Sequence, residues 1–141
     1  NPLFIAVLNG AFMFASDFLK EYDSTCEIQF VKLSSYEGTS STGKVSELIG
    51  LSENIANRDV ILIEDIVDTG LTLERLKFTF KKAEVSSLKV ISLLFKEEAY
   101  LGKDKIDYVG FEIPNDFVVG YGMDYNEMGR NLKAIYKLSS Q

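Results

Sequence analysis

Four consecutive branched apolar residues, Val60-Ile61-Leu62-Ile63, run straight into Glu64-Asp65-Ile66-Val67-Asp68-Thr69-Gly70-Leu71-Thr72. A short continuous apolar run of this kind reads as a buried strand of a parallel sheet. Beyond Gly70, the residues Leu73, Leu76, Phe80 and Ala83 recur at the spacing of one helix face. The unit is therefore strand, acidic connection, helix. It constrains the chain to an open α/β sheet whose ligand crevice lies at the carboxyl end of that strand. Glu64, Asp65 and Asp68 stand at that end, and the first free N–H groups and positive dipole end of the following helix face the same crevice. Thr69 and Thr72 add hydroxyls, and Gly70 lets the backbone come close. Together these make an anion cradle from Thr69 to Thr72, preceded by acceptors for hydroxyls or a divalent cation. The glycines and lysine of the nucleotide-triphosphate loop are missing, so a ligand carrying both a phosphate and a polyol fits better. A plainer reading makes Asp68 or Thr69 a helix cap. It leaves Glu64 and Asp65 unexplained.

The rest of the chain alternates in the same way. Leu3 to Leu8 is another continuous apolar run, broken by Asn9-Gly10, and Ala11, Phe14, Ala15, Phe18, Leu19 and Tyr22 then mark a helix face. Glu27 to Leu33 is rich in strand formers. Ser34 to Ser46 turns to Ser, Thr and Gly and reads as a surface loop. Leu88 to Phe95 is a further apolar run, with Tyr108 to Ile113 as its expected partner. Pro114-Asn115 turns the chain into Phe117 to Gly120, and Ala134 to Tyr136 suits a last short strand. With no repeat, linker or second hydrophobic pattern, residues 1–141 read as a single domain. The chain opens Asn1-Pro2-Leu3 without an initiator methionine, so natural N-terminal residues are expected to precede it.

Composition removes several chemistries. Without histidine, neither a Ser-His-Asp triad nor an imidazole zinc site can be built. A single cysteine, Cys26, forms no internal disulfide and reads as a small buried apolar residue in a reducing cytoplasm. Fifteen basic against 21 acidic residues give a net charge of −6, the wrong sign for a nucleic-acid footprint. No apolar run approaches the length of a membrane span.

The apolar strand followed by Glu-Asp-x-x-Asp-Thr-Gly-x-Thr resembles the phosphoribosyl-pyrophosphate motif of the type I phosphoribosyltransferases. Four more segments resemble the bacterial-type hypoxanthine-guanine branch of that family, in the same order: Leu8-Asn9-Gly10, Ser35-Tyr36 with Ser40 to Gly43, Lys96 after its apolar run, and Phe111 to Glu127. The resemblance implies a mostly parallel twisted sheet flanked by helices, with a small hood over the base. It implies that Glu64 and Asp65 meet the ribose hydroxyls, directly or through a metal. Thr69, Gly70 and Thr72 would hold the 5′-phosphate, and Asp68 would serve as general base at the purine N7. Asn9 and Gly10 would offer backbone amides to pyrophosphate, with Arg130 opposite. Ser35 and Tyr36 would begin a loop that closes over the reacting centre. Lys96 would donate to the purine 6-oxo group, Phe117 would stack on the ring, and the Val118 backbone would read the base edge. Asp124 would hold a second Mg²⁺. Met128-Gly129 departs from the aromatic pair common at that place, which bears on the support of Arg130.

The implied activity is purine salvage: hypoxanthine or guanine plus phosphoribosyl pyrophosphate gives the nucleoside 5′-monophosphate plus pyrophosphate, with Mg²⁺ as cofactor. Expected partners are these small molecules and further copies of the chain, as a dimer or tetramer, in the cytoplasm. Nucleic acid and membrane are not expected. The competing readings are transfer to another base such as xanthine, or a non-catalytic sensor of phosphoribosyl pyrophosphate. The missing basic stretch counts against a sensor that binds nucleic acid.

Overall fold

The computed structural model describes residues 1–36, 45–51 and 54–139, with 34–36 and 45–49 as backbone only. Its main sheet has six strands in the order β3-β2-β1-β4-β5-β6. These are β1 (Leu3–Val7), β2 (Glu27–Tyr36), β3 (Val45–Ile49), β4 (Asp59–Val67), β5 (Ser87–Phe95) and β6 (Tyr108–Glu112). All neighbours pair in parallel except β2 with β3, which is antiparallel from Lys32↔Ile49 to Tyr36↔Val45. Helix α1 (Phe12–Lys20) follows β1, and α2 (Leu71–Lys82) follows β4. A separate two-stranded ribbon joins β7 (Val118–Val119) to β8 (Tyr136–Lys137).

Strand alternation decides which helix covers which face. Leu3, Ile5 and Val7 of β1 join Val60 and Leu62 of β4 in a core with Leu73, Leu76 and Phe80 of α2. The intervening Phe4, Ala6 and Ile63 pack on the other face with Ala15, Phe14 and Phe18 of α1, and half-buried Cys26 joins them. Each large side chain taken fully from water here contributes about 1.5–3 kcal/mol, before the entropy of ordering is counted. Both central strands are thus covered on two sides, as their continuous apolar runs require.

Sequence and structure part at two places. The surface loop expected from Ser34 to Ser46 is strand at both ends, since Ser34, Ser35 and Tyr36 finish β2 and Val45 and Ser46 open β3. The antiparallel ladder satisfies their backbone groups, so no apolar side chains are needed to hold them. Ser40 to Gly43, expected in the closing loop, lie outside the described residues. The final strand is Tyr136–Lys137 rather than Ala134 to Tyr136. Among the described residues, no helix is long and apolar enough to cross a membrane.

The sheet order fixes where a ligand goes. From β1 the chain passes to β2 on one side, and β4 lies on the other. The carboxyl ends of β1 and β4 therefore flank the topological switch point, where open α/β sheets form their crevice.

Candidate active site

The two strand ends at the switch point enclose a cavity of about 290 Å³. Its lining includes Leu8 and Gly10 after β1, and Glu64, Asp65, Asp68, Thr69, Gly70 and Thr72 from β4 and the start of α2. A second cavity of about 310 Å³ adjoins it, lined by Lys96, Phe117, Val118, Asp124 and Arg130 among others. Gly10, Asp65, Ile66 and Asp68 line both. Ile66 was not singled out in the sequence, because an apolar residue between carboxylates carries no signal of its own.

The connection from β4 to α2 leaves the helix end open for a ligand. Gly70 occupies the cap position at φ 84°, a left-handed backbone that favours glycine, and no side chain caps the helix. Only a 3.4 Å contact from the Leu71 N–H to Thr69 Oγ1 approaches one. The first helical bond runs from the Glu74 N–H to the Gly70 carbonyl at 2.9 Å, so the N–H groups of 71–73 precede the ladder. Beyond the Thr69 contact, the capping interpretation of Asp68 and Thr69 finds no cap bond.

Glu64 and Asp65 lie within the last residues of β4. Glu64 is 5% exposed, and burial, with the Asp65 charge second, holds its carboxyl well above the ordinary glutamate range. Burial also raises Asp65, opposed by backbone N–H donors and the Arg130 guanidinium, while the Asp124 charge raises it further. Among the described residues, no three or more acidic, histidine or cysteine side chains converge as a ready metal cage. Asp65 and Asp124 do face one cavity.

On the second cavity's side, Lys96 follows β5 and is 5% exposed. Its Nζ donates to Asp68 Oδ2 at 2.9 Å, an ion pair across 28 residues that the sequence did not announce. Phe117 leaves its ring exposed, edge-on to Tyr125 with centroids 5.8 Å apart. Arg130 is held despite the departure at Met128-Gly129. Its guanidinium donates to the Gly122 carbonyl at 3.0 Å and pairs with Asp124 at 3.0 Å, while Asp124 accepts the Glu127 N–H at 2.8 Å. Asn9 is exposed and absent from the lining, whereas its neighbours Leu8 and Gly10 form part of it. That geometry favours a backbone contribution from this turn. Ser35 and Tyr36 are placed only as the backbone end of β2.

Three chain segments meet here, the turn after β1 lying against the Asp65 side chain on one side and against the main chain at Gly122 on the other. A Cβ on Gly10 would run into the Asp65 carboxylate, and one on Gly122 would run into the Gly10 carbonyl oxygen. The segment around Gly122 thus rests directly on the turn after β1.

The phosphoribosyl transferase domain model matches residues 1–126. This chain belongs to that family. It is 43% identical, over its whole length and 79% of the relative's, to hypoxanthine-guanine phosphoribosyltransferase of Streptococcus pyogenes serotype M3. The enzyme of the same name from Streptococcus agalactiae serotype V is 45% identical with the same coverage. Among solved structures, a hypoxanthine phosphoribosyltransferase from Staphylococcus aureus superposes with a TM-score of 0.86 at 39% identity, covering 98% of this chain and 76% of that one. The mostly parallel sheet with flanking helices is the type I phosphoribosyltransferase fold expected from the sequence.

Proposed function

We propose that this phosphoribosyltransferase performs purine salvage, moving the 5-phosphoribosyl group from phosphoribosyl pyrophosphate to N9 of hypoxanthine or guanine. The observation that carries this reading is the wall of Gly10, Asp65, Ile66 and Asp68 shared by the two cavities. An anion cradle opens on one side of it, and a buried ammonium and an exposed aromatic ring stand on the other. The names of the relatives point to the same reaction.

In this reading Thr69, Gly70, Thr72 and the open N–H groups of α2 hold the 5′-phosphate, and Glu64 and Asp65 meet the ribose hydroxyls. The bond from C1′ to pyrophosphate breaks, the bond from C1′ to N9 forms, and Asp68 accepts the proton that leaves N7. Negative charge grows on the departing pyrophosphate, where the backbone at Asn9-Gly10 and the Arg130 fork receive it. Lys96 donates to the 6-oxo group, which disfavours adenine because a 6-amino group leaves that donor mismatched. Phe117 stacks on the ring, and the Val118 main chain reads its edge. Ser35 and Tyr36 begin the segment that closes over the centre.

Mg²⁺, as a hard cation that keeps several waters and takes substrate oxygens, would neutralise pyrophosphate as it departs. With no three-ligand cage among the described residues, those residues fit an ion held mostly by substrate. Glu64 and Asp65 would stand beside one ion, and Asp124 beside a second. Homo-oligomeric assembly and a cytoplasmic location belong to the same proposal.

The test is a Mg²⁺-dependent assay with phosphoribosyl pyrophosphate and hypoxanthine, guanine, xanthine or adenine in parallel, following both nucleotide and pyrophosphate. Turnover of hypoxanthine or guanine well above adenine is expected. Preference for xanthine would move the base assignment. Binding of phosphoribosyl pyrophosphate without turnover of any base would favour a sensor.

A further inference from the structure

The phosphate cradle is backed by a side chain that belongs to neither cavity. Tyr100 follows the short 3-10 turn Glu97–Ala99 after β5. Its ring stands where a side chain on Gly70 would be, with a Cβ there only 2.8 Å from Tyr100 Cδ2. The left-handed glycine at the cap of α2 is therefore filled in from outside by an aromatic face. The ring is itself fixed on several sides. Phe95 meets it edge-on at 5.2 Å, the hydroxyl donates to the Asp104 carbonyl at 2.8 Å, and Gly102 approaches so closely that a Cβ would strike the ring.

Two further ties bind this segment to the cradle. The Leu101 N–H donates to the Thr69 carbonyl at 3.0 Å, so residue 101 holds the main chain of the cradle itself. Lys77, on α2, pairs with Asp104 at 3.0 Å and with Glu74 at 3.4 Å. At its other end the segment begins at Lys96, whose carbonyl accepts the Ala99 N–H at 3.1 Å. The cradle's shape thus depends on residues 96–104.

We infer that Tyr100 is a positioning residue for phosphoribosyl-pyrophosphate binding, holding the Thr69–Thr72 backbone in its phosphate-receiving shape. The inference rests on the phosphoribosyl-transfer reading. An anion cradle of backbone N–H groups works only when those groups converge, and a misplacement of about 1 Å costs ~10²-fold in the geometry it supports. Tyr100 lines neither cavity, so its effect falls on affinity for the phosphorylated co-substrate rather than on the chemistry.

The experiment compares Tyr100→Leu, Tyr100→Phe and the parent at saturating hypoxanthine with phosphoribosyl pyrophosphate varied. In Tyr100→Leu the KM for phosphoribosyl pyrophosphate should rise at least about tenfold, while kcat stays within about twofold. Tyr100→Phe keeps the ring over Gly70 and should recover most of the affinity. Gly102→Ala pushes the ring without deleting it and should raise the same KM, which decides the matter if Tyr100→Leu does not fold. An active parent whose Tyr100→Leu or Gly102→Ala form keeps an unchanged KM for phosphoribosyl pyrophosphate overturns the role of Tyr100 alone. So does a fall in kcat with both KM values unchanged. A parent inactive on every 6-oxopurine overturns the phosphoribosyl-transfer reading and this inference together.

Discussion

Lys96→Met separates the observed pairing with Asp68 from the proposed contact with the base. Methionine keeps the unbranched apolar stem and removes the charge. Lys96 pairs with Asp68 at 2.9 Å, with side-chain exposures of 7% and 47%. Cutting such a pair is costly when the remaining charge is stranded away from water, but the half-exposed Asp68 can be solvated. A buried ammonium is removed at the same time, so folding stability should change by no more than about 1 kcal/mol. Catalysis should respond more strongly. A hydrogen bond from a charged donor is worth about 1.5–3 kcal/mol, which converts to a loss of roughly 10–150-fold in kcat/KM for hypoxanthine. Initial rates at saturating phosphoribosyl pyrophosphate, with a thermal melt as control, measure both. Because Lys96 and Asp68 touch, the double variant with Asp68→Asn should be non-additive by about 0.5–3 kcal/mol. A kcat/KM for hypoxanthine within twofold of the parent would refute the assignment of Lys96 to the base.

Asp68→Asn keeps the shape and an acceptor for Lys96 but cannot take a proton. The fold should persist while turnover falls by about 10²–10⁴; unchanged turnover would remove Asp68 from the mechanism. For Glu64, the folded chain binds its proton more tightly than the unfolded chain, because burial and the Asp65 charge raise the carboxyl above its ordinary 4.5. That contribution is complete below the ordinary value and is lost as pH rises through the raised one, with a slope of up to about 1.4 kcal/mol per pH unit. Denaturant melts of the free protein without divalent ions should thus lose stability from about pH 5 upward, and Glu64→Gln should flatten the trend. Parallel trends in the two proteins would show that another group carries it.

The central fold was legible because its signals are local. Val60 to Ile63 can satisfy four consecutive apolar residues only between two covered faces, and Leu73, Leu76 and Phe80 keep helical spacing. The end of β2 was not legible. Ser34 to Tyr36 are held by backbone pairing with β3, and ladder bonds leave no mark in side-chain pattern. At the site, the acidic strand end and Gly70 could be read as an anion cradle, and resemblance supplied the base side. Lys96, at the end of an apolar run, carries no sign in the sequence of the partner it finds. Its burial and its partner exist only because β4 and β5 lie side by side and bring Asp68 within reach. Tyr100 left even less trace, since its contact is with a glycine and a side-chain pattern cannot register a partner that has none.

The contact of Gly10 with Asp65 and of Gly122 with Gly10 has a consequence for tolerance to change. Where two cavities are separated by packed side chains, every drift in side-chain size alters the gap between them. Here the segment at Gly122 meets the Gly10 main chain with no side chain of its own in between, and on the far side Gly10 meets the Asp65 carboxylate. That spacing leaves no room for repacking. A single methyl group added at residue 10 or residue 122 would act as a wedge between the segments.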